Sequence, residues 1–339
     1  MFCKMQEYTA ILDAALVENT KLKFDLYLKI HDKGVTKYVL FTRGGEKYSS
    51  EKKDELIKKK AKCLFIATKD INKYLNYQEK SLKQFITNKS KTSLEKSEVV
   101  YQVANNLTED LMNDPESDQH IERAATWVTN TVTHVFQDED TYSSLFKVAS
   151  RDYDLYTHSI NVSVIGLLFG KHLSLSQHDL NYLGKGLLLH DIGKVEIPSE
   201  ILDKPDELTK DEFEIFKRHP EIGLRLLENK EDIEETTLKI ISQHHENYNG
   251  TGYPKGIAGS DIHLFGSISR IIDAYDGATT RRNNKVAKGP FAALAEMKEK
   301  MIKCFDEELF KEFILFLGPK DLRKKQRPDD ILHTKSAQI

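Results

Sequence analysis

His190 and Asp191 stand side by side at the end of the apolar run Leu187-Leu188-Leu189, with Gly193 and Lys194 just beyond. Leucines that carry a helix into a core carry the polar pair at its end in with them. A buried carboxylate is costly unless something compensates its charge, and a cation is the natural compensation. Asp191 offers two oxygens, enough to bridge two metal ions. More donors follow in similar settings. His158 lies in phase with Val162, Ile165 and Phe169, which puts it on the buried face of a helix. A single histidine there is an ordinary core residue; it becomes a ligand candidate because others accompany it. His219 precedes Pro220 in what reads as the first turn of a helix through Ile222, Leu226 and Leu227. His244 and His245 close a helix bearing Ile240 and Ile241. Neighbours on a helix diverge by about 100°, so both reach one site only near a frayed end. Asp273 follows Ile271-Ile272 on a further helix. Nitrogen and oxygen donors without sulfur, brought from several rigid elements, suit iron, manganese or zinc.

The elements that must position these side chains occupy the second half of the chain. Its 339 residues suggest two domains, or one with a substantial appendage. Residues 1–88 read as a small α/β module. Phe24, Leu26, Leu28 and Ile30 alternate with Asp25, Tyr27 and Lys29 as in a half-buried strand over 23–30. A second strand is expected over 37–43, a charged helix over 51–60 and a short buried strand over 63–67. The module holds no convergent histidine or carboxylate cluster and no glycine-rich phosphate loop; a sensory or docking role for it is implied only by the family resemblance given below. Residues 89–148 read as a helical connector, with Trp127, Val128, Val132 and Val135 on one face and a candidate homodimer interface there. Residues 149–317 form the metal-bearing helical domain, and 318–339 a polar tail. His120, His134, His172, His178, His263 and His333 belong to no block and read as surface or packing residues.

A net charge of −3 argues against a general DNA or RNA binder. No stretch approaches the ~18 apolar residues of a membrane span, and the N-terminus lacks a secretory signal. Cys3, Cys63 and Cys304 show neither zinc-finger nor disulfide spacing. Reduced thiols and a cytoplasmic location are the expectation.

HDIGK at 190–194, HP at 219–220, HHE at 244–246, GTGYP at 250–254 and DAYD at 273–276 come in an order and spacing that resembles the HD-GYP branch of the HD-domain metal phosphohydrolases, over roughly half the chain. The resemblance implies a mainly α fold, a helical HD-type bundle preceded by the α/β module. It implies a two-metal centre: His158, His190, Asp191 and Asp273 on one ion, and Asp191, His219, His244 and His245 on the other. The family leans towards iron, then manganese. Asp154 stands one helical turn before His158, where some members carry a carboxylate, usually glutamate, for a third metal.

The activity implied is hydrolysis of cyclic di-GMP to linear pGpG or on to GMP by a metal-activated bridging hydroxide, with Asp191 and Lys194 as catalytic residues. Substrate contacts fall on Lys194, Arg282, Lys285 and Tyr253. The loop Gly252-Tyr253-Pro254 shapes the rim of the cleft and offers a docking surface for GGDEF-type diguanylate cyclase domains. The family's arginine-proline-tyrosine is replaced by Arg282-Asn283-Asn284, which removes an aromatic surface for a base. Two other readings follow: a weakly active or inactive receptor for cyclic di-GMP, and an HD phosphohydrolase acting on another nucleotide.

Overall fold

A computed structural model describes residues 7–11, 15–32, 35–59, 63–137, 140–149, 157–280 and 287–318. The chain divides into two compact units between Val103 and Ala104.

The first unit contains β1 (Tyr8–Ile11), β2 (Thr20–Lys21), β3 (Leu26–Asp32), β4 (Val35–Thr42), β5 (Lys47–Tyr48), α1 (Ser50–Lys58), β6 (Leu64–Ala67) and α2 (Ile71–Thr87). The strands β1-β6-β3-β4 form one antiparallel sheet in that order, and β2 pairs with β5. Phe24 sits at the centre of its core, edge-on to Tyr74 and Tyr77 at 5.6 Å each. The alternation expected for the first long strand is kept only at its start. Phe24 and Leu26 are buried, Leu28 is half-buried and Ile30 is 41% exposed. The cause is pairing: β6 meets β3 only at Tyr27 and Leu28, so the distal half of the β3–β4 hairpin runs beyond the sheet's covered face. Strand β1 had no forecast from the sequence. Its four residues are too short for a period of two to stand out, and pairing with β6 defines it.

Helix α3 (Ser93–Asn113) crosses the division between the units. The second unit is helical: α4 (Asp118–Gln137), α5 (Asp140–Ala149), α6 (Thr157–His172), α7 (Gln177–Leu189), α8 (Ser199–Leu202), α9 (Lys210–Phe216), α10 (His219–Leu227), α11 (Glu235–Gln243), α12 (Leu264–Thr279), α13 (Pro290–Lys300) and α14 (Glu307–Leu317). Helix α6 is the axis. Residues from Ile160 to Gly170 are buried on every side, as a helix apolar all round must be. Helices α7 and α12 pack against it, and Phe313 and Phe316 of α14 meet Phe169 at 5.1 and 5.2 Å. Helix α7 starts on the Ser176 hydroxyl, which accepts the Asp179 N–H at 3.1 Å, and runs to His190 at its C-terminal cap. Among the described residues no helix is long and apolar enough to cross a membrane.

Candidate metal centre

Five elements end or pass at one point inside this bundle. Helix α6 brings His158 and the end of α7 brings His190 and Asp191. The start of α10 brings His219, the end of α11 His244 and His245, and the middle of α12 Asp273. The seven side chains gather in two groups, His158 with His190 and Asp273, and Asp191 with His219, His244 and His245. Asp191 faces both. Its Oδ2 lies 3.5 Å from His158 Nε2 and 3.4 Å from His190 Nε2, and its Oδ1 lies 3.4 Å from His219 Nε2 and 3.8 Å from His244 Nε2. Asp273 Oδ1 lies 3.2 Å from His158 Nε2, and its Oδ2 3.7 Å from His245 Nδ1.

The imidazoles are held in one tautomer by what stands behind them. Nδ1 of His190, His219 and His244 donates to the carbonyl oxygens of Leu187, Phe216 and Ile241, at 2.7, 2.8 and 2.8 Å. A carbonyl only accepts, so the proton sits on Nδ1 and the Nε2 lone pair points inward. His158 Nδ1 lies 2.7 Å from Asp276 Oδ2, which fixes it the same way. Asp276 is the functional residue that the sequence reading passed over. It is buried, and it stands three residues after Asp273, so it shares that helical face.

The donor set fits a cation. His219 Nε2 and His244 Nε2 are 3.1 Å apart, two lone pairs facing each other with both protons on the far nitrogens. A positive ion between them would relieve that repulsion. His190 Nε2, Asp191 Oδ1 and His245 Nε2 are buried without a hydrogen-bond partner, a costly state for polar atoms that no ligand meets.

Burial keeps the imidazoles of His190, His244 and His245 below the ordinary histidine value and lowers His219 to about 4. Burial alone would raise Asp191, but the Lys194 ammonium and the imidazoles of His190, His219 and His158 outweigh it and hold the carboxyl well below its usual range. These four imidazoles are thus neutral, and Asp191 and Asp273 ionised, at neutral pH, the protonation states a metal requires. An unfolded histidine titrates near 6.5 and binds a proton that folded His219 excludes until about 4. Stability from this group is complete above about 6.5 and is lost as pH falls towards 4. The metal-free protein is expected to lose melting temperature across that window, and to lose less of it as His219→Asn. A flat pH profile would contradict a neutral buried imidazole.

Lys194 and Tyr253 close the rim. Lys194 Nζ lies 2.5 Å from Asp191 Oδ2 and 5.4 Å over the Phe216 ring. The Tyr253 ring leans on His245 at 4.6 Å, and Tyr253 N–H donates to the His245 carbonyl at 3.2 Å. Glu246 anchors the same loop, its Oε1 accepting the Lys255 N–H at 2.7 Å. Gly252 passes so close to this corner that a Cβ would fall 2.2 Å from Asn247 N and 2.5 Å from the His245 carbonyl oxygen. Pro254 follows across a cis peptide bond. Asp154, Arg282 and Lys285 lie outside the described residues, as do Asn283, Asn284, His333 and all of the polar tail but Gly318.

Outside the centre, His263 caps α12 by accepting the Phe265 N–H at 3.1 Å, His172 meets Glu312 at 3.1 Å, and His178 meets the Tyr182 hydroxyl at 2.8 Å. His120 and His134 stand on α4, and none of these five belongs to either ligand group. Replacing any of them with glutamine is expected to leave metal content at the wild-type level by elemental analysis. Loss of metal in one would redraw the site.

A family model described as an HD domain matches residues 140–309, and the chain belongs to that family. The intact GYP tripeptide keeps the resemblance to the HD-GYP branch. A cyclic di-GMP phosphodiesterase of Pseudomonas aeruginosa is 33% identical over 175 residues, 52% of this chain and 42% of that protein. One of Thermotoga maritima is 31% identical over 185 residues, covering 54% and 50%. A 3'3'-cGAMP-specific phosphodiesterase of Vibrio cholerae is 33% identical over 153 residues, covering 45% and 33%. The chain thus spans half or less of the length of these relatives. A solved HDG"Y"P protein from Bdellovibrio bacteriovorus shares the fold with a TM-score of 0.64 at 22% identity, over 90% of this chain and 98% of that one.

Proposed function

We propose that this protein is a metal-dependent phosphodiesterase that opens cyclic di-GMP to linear pGpG, or on to GMP. The observation that carries the proposal is the position of Asp191, one oxygen turned to each of two ligand groups. One ion would be held by His158, His190, Asp191 and Asp273, the other by Asp191, His219, His244 and His245. Ferrous iron or manganese suits this all-nitrogen-and-oxygen set. Two divalent cations held by these residues would supply Lewis acidity to a phosphoryl group and acidify water.

The chain's own residues do the rest. Asp276 and the carbonyls of Leu187, Phe216 and Ile241 keep each Nε2 lone pair directed inward. Lys194, paired with Asp191 here, would offset the charge of a phosphodiester bound at the centre. Tyr253 shields the His245 side from water. In the proposed scheme the first unit senses or docks, the GYP loop meets a GGDEF-type domain, the helices around 89–148 carry a homodimer contact, and the protein works in the cytoplasm.

The test is full-length protein reconstituted with iron or manganese and given cyclic di-GMP, with 3'3'-cGAMP as a second substrate because one relative bears that name. Chromatography showing pGpG or GMP supports the proposal. Cleavage of 3'3'-cGAMP alone reassigns the substrate. Binding of cyclic di-GMP without turnover turns the protein into a receptor.

A further inference from the structure

Helix α9 stands beside the centre and buries none of its residues. Its conformation is secured locally instead. The Thr209 hydroxyl accepts the Glu212 N–H at 3.3 Å, the Glu212 carboxylate accepts the Thr209 N–H at 2.7 Å, and Lys204 pairs with Glu212 at 2.5 Å. Such a capping box fixes a helix without help from a core. This rigid turn holds Phe213 in solvent, 42% exposed. Single exposed rings are common, Phe291 at 87% among them; Phe213 differs in lying against further rings.

The rings around Phe213 lead back to the ligands. Phe213 lies alongside Phe216 at 6.4 Å and 14°, and edge-on to Tyr253 at 6.1 Å and 82°. Phe216 in turn meets His219 at 5.0 Å, and Tyr253 meets His245 at 4.6 Å. Two ammonium groups lie over the same surface, Lys217 Nζ 5.3 Å from the Phe213 ring and Lys194 Nζ 5.4 Å from that of Phe216. The result is an aromatic shelf, open at one end and joined to a metal-ligand cluster at the other, with Lys217 paired to Glu214 and Lys194 to Asp191 along its edge. A flat π system tethered to a phosphodiester has the matching chemistry. A protein side chain would match the shelf alone.

We infer that Phe213, backed by Phe216 and Tyr253, is the stacking surface for a nucleobase of the substrate whose phosphate lies at the centre. The inference rests on the phosphodiesterase proposal. It also gives the base a partner in a chain where Asn284 stands at the position of the family's aromatic. Stacking holds the base in ground and transition state alike, so its loss falls on KM rather than on kcat.

The full chain as Phe213→Ala and as Phe213→Leu should show KM for cyclic di-GMP raised about tenfold, the loss of one stacked base. Phe213→Tyr should restore it. Leucine restoring KM as well as tyrosine does would overturn stacking in favour of simple apolar contact, and an unchanged KM in the alanine variant would overturn the shelf altogether. A second readout does not depend on turnover. Trp127 is the single tryptophan and is buried, so Phe213→Trp introduces an exposed reporter against a fixed background. GMP should quench its emission at concentrations where ribose 5-phosphate does not. Equal response to both overturns the inference. If wild type turns over no cyclic di-GMP, the functional proposal fails alone, and quenching by GMP decides whether the shelf stands.

Discussion

Asp191→Ala is expected to bind less than one metal ion per chain after reconstitution and to lose hydrolysis by at least about 1,000-fold. Changes to groups behind metal ligands cost about 10–100-fold, and Asp191 is a shared ligand in front of them. Alanine removes the group that His158 and His190 face on one side and His219 and His244 on the other. Asp191→Asn tests the same point with shape kept, since an amide brings one acceptor oxygen and no charge to two clusters. Stability should fall too. The carboxylate is the ion partner of Lys194, whose side chain is 18% exposed, and breaking a buried pair by removing one member costs about 3–5 kcal/mol. That figure is an upper bound for a lysine with some access to water. Elemental analysis checks the first claim and thermal melting of the metal-free protein the second. Wild-type metal content in either variant would reject the bridging role.

Gly193→Ala is expected to be almost as damaging, though the residue binds nothing. A Cβ there would lie 2.0 Å from the His219 carbonyl oxygen and 2.5 Å from Gly223 N. Both are backbone atoms, so no side chain can turn away. The turn after Asp191 must lift off α10, which carries His219 away from Asp191 and opens the 3.4 Å approach between them. Overpacking of this kind costs about 3 kcal/mol, or roughly 6–12 °C of melting temperature for a unit of this size. Metal content and activity should drop with it, because one ligand moves relative to the others. Gly277→Ala is the control: it sits on α12, exposed, with nothing within 4 Å of an added Cβ. It should be neutral or slightly stabilising by helix propensity. Equal melting temperatures for Gly193→Ala and wild type would show that the turn has slack the geometry denies.

The identity of the centre was readable from the chain. His190-Asp191 behind three leucines, His219 before proline, and His244-His245 behind two isoleucines each announce a polar group carried into a core. Burial is a local consequence of apolar phase, so helix ends such as Leu189 and Gln243 and the ligand candidates beside them emerge from pattern alone. Gly252 and Gly193 stood inside legible motifs as well, although the atoms they make room for did not.

Other features depend on which elements meet, and no local pattern records that. Asp276 looked like the end of a motif until α12 packed on α6 and set its carboxylate on His158. Phe213 and Phe216 belonged to no block, because α9 has no core face for periodicity to reveal; only the approach of the Tyr253 loop turns them into a surface. Ile30 obeyed the strand alternation and is nevertheless exposed, since a neighbouring strand, absent beyond Leu28, decides what a sheet covers. Residue type and helical phase determined which histidines and carboxylates at these helix ends are carried into the core. The long-range packing of α6, α7, α10, α11 and α12 decided their distances, the partition of Asp191's two oxygens and the shelf beside them, because those quantities depend on contacts between residues far apart in the chain.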